Sequence, residues 1–179
     1  IDAYEQYSEL ALNDDANAQY NIALMNYRGL GVNKNNKLAF FWYEKSALNG
    51  NVAAQNNLAH MYFLGEDVKK DMQLAEKWYK LSAEAGYPFA QLNLGMLYDL
   101  SSNEEKVKQA FYWYEKAANQ GSVYAMYRAG YIYYSEPIDY NKAGQWFSLA
   151  AEKGDKDAEE VLRNNLRYNR FTKKWDAVR

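Results

Sequence analysis

Cysteine is absent from the chain, which excludes disulfide frameworks, thiolate metal sites and cysteine nucleophiles together. Proline occurs only twice and glycine ten times, too little punctuation for a turn-rich all-β chain. The single histidine leaves no second imidazole for a metal site. No apolar run approaches the roughly 18 residues that a membrane helix needs, so no membrane insertion is expected. A net charge of −2 leaves no cationic footprint for a nucleic-acid partner. The chain begins at Ile1 without an apolar signal segment, and any such segment would precede this numbering. What is abundant is aromatic: 18 Tyr, 7 Phe and 5 Trp, or 17% of 179 residues, within a chain that is 49% apolar. That length and composition fit one domain or one repeat array with a substantial core.

Self-similarity decides between the two. The segment Phe41-Trp42-Tyr43-Glu44-Lys45-Ser46-Ala47 returns as Lys77-Trp78-Tyr79-Lys80-Leu81-Ser82-Ala83, as Tyr112-Trp113-Tyr114-Glu115-Lys116-Ala117-Ala118, and as Gln145-Trp146-Phe147-Ser148-Leu149-Ala150-Ala151. Its tryptophans step by 36, 35 and 33 residues. Ala39, Ala75, Ala110 and Ala143 precede each Trp by three positions, and Gly50, Gly86, Gly121 and Gly154 follow it by eight. Ala18, Ala54, Ala90, Ala125 and Ala158 open the next unit, with Asp14 standing in the glycine position before Ala18.

Within each unit the period is helical. Leu58, Met61 and Tyr62 lie 4, 7 and 8 positions after Ala54, and Leu94, Leu97, Tyr98 and Ala129, Ile132, Tyr133 repeat the stripe. The second half of the unit carries another stripe, of which Leu74, Ala75, Trp78, Tyr79 and Ala83 are an example. The closing glycines suit a left-handed residue just past a helix end, and Asp71 and Asp139 stand at N-cap positions. The pattern predicts a first helix over 2–12 and repeats over 15–50, 51–86, 87–121 and 122–154. A capping helix over 155–168 and a basic tail over 169–179 follow. Such hairpins cannot bury their apolar faces alone, so stacking into an all-α α-solenoid is expected. The Trp-Tyr stripe is expected to be core, and the small residues Ala59, Gly95 and Gly130 are expected to let helices approach closely.

The unit A-x-x-N-L-G/A-x-M/L-Y, followed by a loop such as Gly29-Leu30-Gly31-Val32 or Gly65-Glu66-Asp67-Val68, then A-x-x-W-Y-x-x-A/S-A and a closing glycine, resembles the Sel-one-like repeat family. That family is related to tetratricopeptide repeats. The resemblance covers about residues 14 to 160 and implies a right-handed superhelix of about four helix-turn-helix units with terminal capping helices. The third and fourth units depart from the pattern, with Ser101-Ser102 and Glu136-Pro137 in place of the glycine-rich turn. The resemblance implies adaptor, assembly or secreted bacterial interaction roles, and a periplasmic or secreted setting ahead of a cytoplasmic one.

Catalytic chemistry finds no purchase. His60 has neither triad partners nor metal-ligand spacing around it. Asp14-Asp15, Glu104-Glu105 and Glu159-Glu160 are adjacent pairs, which do not face one another on a helix. Gly29-Leu30-Gly31 lacks the strand, helix and lysine of a phosphate loop. No cofactor, metal or catalytic residue is expected. Asn21, Asn57 and Asn93 form a ladder suited to hydrogen bonding between repeats.

Similarity to tetratricopeptide geometry implies that the first helix of each unit lines a concave surface, with offsets −1, 2, 6 and 9 from the opening alanine pointing into it. The candidate partner-binding residues are then Tyr20 and Tyr27, Asn56, His60 and Phe63, Phe89, Leu92, Met96 and Asp99, and Tyr124, Tyr127, Tyr131 and Tyr134. A groove so rich in tyrosine suits protein recognition, because tyrosine offers rigid apolar area and a hydroxyl at low entropic cost. The expected function is a non-catalytic module that binds a peptide or protein in this aromatic groove. One alternative is a bacterial immunity protein that neutralises a cognate secreted toxin by covering it. Another is a cell-wall or β-lactam hydrolase, against which the missing nucleophile–base set argues. The tail from Arg163 to Arg179 carries six basic residues against Asp176 alone, leaving −7 on the rest. Its aromatics Phe171 and Trp175 are expected to pack on the solenoid or on a neighbouring molecule.

Overall fold

The structure is a computed structural model that describes residues 3–65, 67–135, 138–169 and 172–178. Phe171, Arg170 and Arg179 of the basic tail, and Glu136-Pro137, lie outside the described residues. Among the described residues ten helices follow in order: α1 (Ala3–Leu12), α2 (Ala16–Arg28), α3 (Asn36–Leu48), α4 (Val52–Leu64), α5 (Met72–Glu84), α6 (Pro88–Asp99), α7 (Glu104–Asn119), α8 (Val123–Ser135), α9 (Tyr140–Glu152) and α10 (Lys156–Asn164). Two strands, β1 (Leu166–Asn169) and β2 (Lys174–Ala177), close the chain as an antiparallel pair. The chain divides into two compact units, 1–90 and 91–179, each built of tandem helix-turn-helix hairpins.

Local chemistry sets the helix ends. Asp71 and Asp139 cap α5 and α9 as their positions require, and Asp15, Asn35, Asn51, Asn103 and Asp155 do the same for α2, α3, α4, α7 and α10. The glycines between repeats take φ of +86° to +96°, a region that side chains rarely enter. Asp14, in the degenerate glycine position, adopts φ +61° there.

In the first unit the core is made by Ala23, Ala39, Tyr43, Ala47, Ala54, Leu58 and Met61, with Phe40, Trp42, Tyr62, Val68 and Trp78 packed against it. The expected aromatic stripe is therefore only half right. Tyr43, Tyr79, Tyr114 and Phe147 are fully buried, whereas Trp42, Trp78 and Trp146 are half-buried and only Trp113 joins the core. The residue after the tryptophan points directly at the first helix of its own repeat, and the broader indole lies over the flank. The close approach is real: a Cβ at Gly95 would lie 2.9 Å from the Tyr114 ring, and one at Gly130 2.9 Å from the Phe147 ring.

Several buried polar groups are paired at the repeat period. Ser46 Oγ donates to the Ala16 carbonyl at 2.6 Å, and Ser82 Oγ to the Val52 carbonyl at 2.7 Å. Gln19 Nε2 donates to Ala11 O at 3.1 Å, and Gln55 Nε2 to Ala47 O at 3.2 Å. Gln19 Oε1 accepts from Asn49 at 3.0 Å, and Gln91 Oε1 accepts from Gln120, in the corresponding position, at 2.7 Å. Gln19 and Gln55, two positions before Asn21 and Asn57, thus each bond back to the preceding helix. Those bonds matter because an unpaired carbonyl in such a core costs about 1–3 kcal/mol.

The closing helix is shorter than the pattern suggests. α10 stops at Asn164, where two asparagines follow one another, and residues 166–169 turn into β1. Leu166, eight positions after Ala158, is fully buried, and β1 pairs Leu166 with Ala177 and Tyr168 with Trp175. Trp175 lies on α9: its backbone N–H donates to Asn141 Oδ1 at 2.9 Å, and its ring would sit 2.3 Å from a Cβ at Gly144. Burying that indole against a glycine requires the chain to reverse, which an extended helix cannot do.

Two outcomes check this packing. Tyr79→Ala should cost about 3–5 kcal/mol in urea melts and Trp78→Ala clearly less; equal costs would reverse the assigned depths. Gly144→Leu should lower Tm and speed amide exchange across 166–178, and unchanged exchange would mean that the hairpin is held elsewhere.

Candidate functional site

The sequence-derived binding residues divide by exposure. On α4, His60 is exposed and its Nδ1 lies 3.2 Å from the Tyr79 hydroxyl, while its ring stacks on Phe63 at 6.5 Å. Asn56 is only 7% exposed, with its amide donating to Asn57 Oδ1, so it belongs to the packed interior of the repeat and not to an open surface. Tyr20 and Tyr27 are half-buried, both against Tyr43, at 6.0 and 6.3 Å between centroids. Phe89 is exposed beside Tyr87. In the second unit Met96, Tyr124 and Tyr131 are exposed, and Leu92, Asp99, Tyr127 and Tyr134 are half-buried. Tyr127 is not independent of the core, because its ring packs on Phe147 at 5.8 Å as well as on Tyr131 at 6.4 Å. Tyr134 packs on Tyr140 at 5.8 Å. Among the described residues no three His, Cys, Asp or Glu side chains cluster to hold a metal ion, and no helix is long and apolar enough to cross a membrane.

The second unit brings two of these residues, Asp99 and Tyr131, onto one cleft. Asp99 ends α6 and binds the Arg128 guanidinium, with Nη2 of Arg128 facing Oδ2. The same oxygen accepts from the Tyr114 hydroxyl at 3.0 Å. The guanidinium lies 5.6 Å over the Tyr114 ring and 5.9 Å over the Tyr131 ring. Beside this group a cleft of about 470 Å³ opens between α7 and α8, lined by Val107, Lys108, Phe111, Tyr131, Ile132 and Tyr133 along with Asp99, Arg128 and Ser135. Its wall is the edge-to-face pair Phe111–Tyr133, 4.9 Å between centroids. Sequence reasoning missed Arg128, Phe111 and Lys108. The available signal was the arginine on α8, at a position held by Asn57 in the second repeat, opposite an acid at the end of α6.

Tandem hairpins of this length, stacked through small residues and aromatic rings, define a helical-repeat protein of the solenoid class. The repeat model for Sel1 matches residues 16–51, 52–87, 88–122 and 123–155 in succession, and the chain belongs to the Sel1 repeat family. Such repeats are generally non-catalytic scaffolds for protein interaction. No curated protein matches the chain. Among solved structures, c5321, a protective antigen of uropathogenic Escherichia coli with an SLR fold, is 33% identical with a TM-score of 0.81, over 89% of this chain and 36% of that one. A Sel1 repeat protein from Oxalobacter formigenes is 34% identical with a TM-score of 0.77, over 84% of this chain and 63% of that one. The immunity protein PA5088 of Pseudomonas aeruginosa shares the fold at 21% identity and a TM-score of 0.56, over 93% of this chain and 62% of that one. The chain therefore spans about a third of the first of these and less than two thirds of the other two.

Burial also governs ionisation. Desolvation pushes the Tyr43, Tyr79 and Tyr114 hydroxyls far above their ordinary value, and for Tyr114 the Asp99 carboxylate adds to the effect. The folded state keeps these protons, whereas unfolded tyrosine releases its proton near pH 10. Stability is therefore complete below about pH 10 and falls as pH rises above it. Tyr79→Phe should lose less stability between pH 8 and pH 11 than the parent chain does in denaturant titrations. An equal loss would show that Tyr79 does not contribute.

Proposed function

We propose that the chain is a non-catalytic interaction module that binds a protein or peptide through the aromatic face of its first helices. The observation that carries this reading is where the exposed bulk lies. Phe89 is 61% exposed, Met96 39%, Tyr124 42% and Tyr131 47%, all at offset −1 or 6 of the third and fourth repeats. Large apolar side chains left in water at the same two offsets of successive repeats mark a partner surface. The half-buried Tyr127 and Tyr134 are braced by neighbouring rings, which lowers the entropy lost when a partner arrives.

Toxin neutralisation is the form this interaction takes if the partner is a secreted effector. The Pseudomonas aeruginosa immunity proteins, at 21% and 23% identity, supply the fold for that reading and no partner. The test is affinity capture on the immobilised chain, followed by titration of the recovered protein. Met96→Ser combined with Tyr124→Ala should weaken binding at least tenfold while Tm stays put. Lys77→Ala with Lys80→Ala, both exposed on α5, should be close to neutral. The reverse ranking would move the recognition surface to the second helices.

A further inference from the structure

The loop between the two helices of a repeat leaves and rejoins at fixed points. In the first repeat Asn35 N–H donates to Asn26 O at 2.8 Å, in the second Asp71 N–H to Tyr62 O at 3.0 Å, and in the fourth Asp139 N–H to Tyr133 O at 2.8 Å. Asn26, Tyr62 and Tyr133 occupy the same repeat position, eight after the opening alanine. Between these anchors the second repeat spans nine positions, from Tyr62 to Asp71, and the fourth only six, from Tyr133 to Asp139.

Those extra residues have a job. In the second repeat Val68 folds back onto the core cluster alongside Phe40 and Tyr62, whose rings meet edge to face at 5.4 Å and 87°. Phe111 and Tyr133 are the same two repeat positions, meeting at 4.9 Å and 80°. There the aliphatic residue of the shortened connection, Ile138, is 60% exposed, and the 470 Å³ cleft lies against the ring pair. The cleft falls within the size range of pockets that hold ligand groups, about 300–1,000 Å³.

Among the described residues the cleft is lined by one acid, Asp99, and two bases, Arg128 and Lys108. Asp99 is already engaged by Arg128 and Tyr114. Lys142 sits 4.8 Å over the outer ring, Tyr133, near Asp139 at 4.0 Å. Lys108 lines the cleft and makes no ion pair among the described residues.

We propose that this cleft is a docking site for an extended segment of a partner protein, one that places a large aliphatic side chain on the Phe111–Tyr133 pair and a side-chain carboxylate beside Lys108. The occupant supplies an aliphatic side chain in trans where the second repeat brings its own Val68 onto the core, and the lysine selects the acidic neighbour. The site deepens the interaction reading above, sharing Tyr131 with it and bordering Tyr124, whose side chain hydrogen-bonds Arg128. Met96→Ser alone alters no residue that lines the cleft, so a variant that loses the partner and keeps the peptide separates the two readings.

The probe is the capped peptide acetyl-Gly-Leu-Glu-Gly-amide, titrated at millimolar concentration into the 15N-labelled chain. Shifts are expected at the amides of Val107, Lys108, Phe111 and Ile132. Replacing Glu by Gln in the peptide should weaken binding at least threefold, Glu by Lys should weaken it further, and Leu by Ser should abolish it. Lys108→Glu, an exposed change, should invert the preference between the Glu and Lys peptides. Replacing residues 136–139 with the sequence of 65–71 should fill the cleft and remove binding while Tm holds or rises. Absence of shifts at these amides overturns the proposal, as does a Lys108→Glu chain with unchanged preference. Undiminished binding to a folded chain carrying the longer loop also overturns it.

Discussion

Each repeat depends on one contact, the aromatic ring of its second helix laid against the small residue five positions into its first. In the last two repeats that residue is Gly95 under Tyr114 and Gly130 under Phe147, with no room for a Cβ. In the first two it is Ala23 and Ala59, both fully buried, facing the layer of Tyr43 and Tyr79. A ring that close fixes both the separation and the rotation of the two helices, because packed interiors have few voids in which to shift. The positions that then face outward, including those of Tyr124 and Tyr131, follow from this geometry.

Such a tight hairpin buries backbone carbonyls between repeats, and the chain meets that cost with side chains that recur at the repeat period. Ser46 and Ser82, and Gln19, Gln55 and Gln91, each donate or accept at equivalent places in successive repeats. The array ends where this pattern ends. Glu159 stands where the glutamine would be and is exposed, while the hairpin places Trp175 on α9. Where Phe40 and Phe111 meet a tyrosine of the following first helix, the corresponding position on α9 is Gly144, and the indole takes that space.

The second unit departs from the repeat in two places. Arg128 replaces the residue corresponding to Asn57 and gathers Asp99, Tyr114 and Tyr131 into one polar group. The connection from Tyr133 to Asp139 is three positions shorter than that from Tyr62 to Asp71, and a cleft lies beside the Phe111–Tyr133 pair.

The helices, the caps Asp71 and Asp139 and the repeat lattice were legible from spacing alone, since helix period and left-handed glycines are local and recur from repeat to repeat. The closeness of the helices at Gly95 and Gly130 was legible for the same reason. The relative depth of Trp78 and Tyr79 was not, because adjacent residues differ by a 100° turn and only the neighbouring helix decides which one meets the core. Nor was the burial of Asn56, the dependence of Tyr127 on Phe147, or the hairpin after Asn164, each of which needs a partner distant in sequence. Periodicity determined the repeats; tertiary packing decided which of their aromatic residues remained in water, because exposure belongs to pairs of elements and not to one.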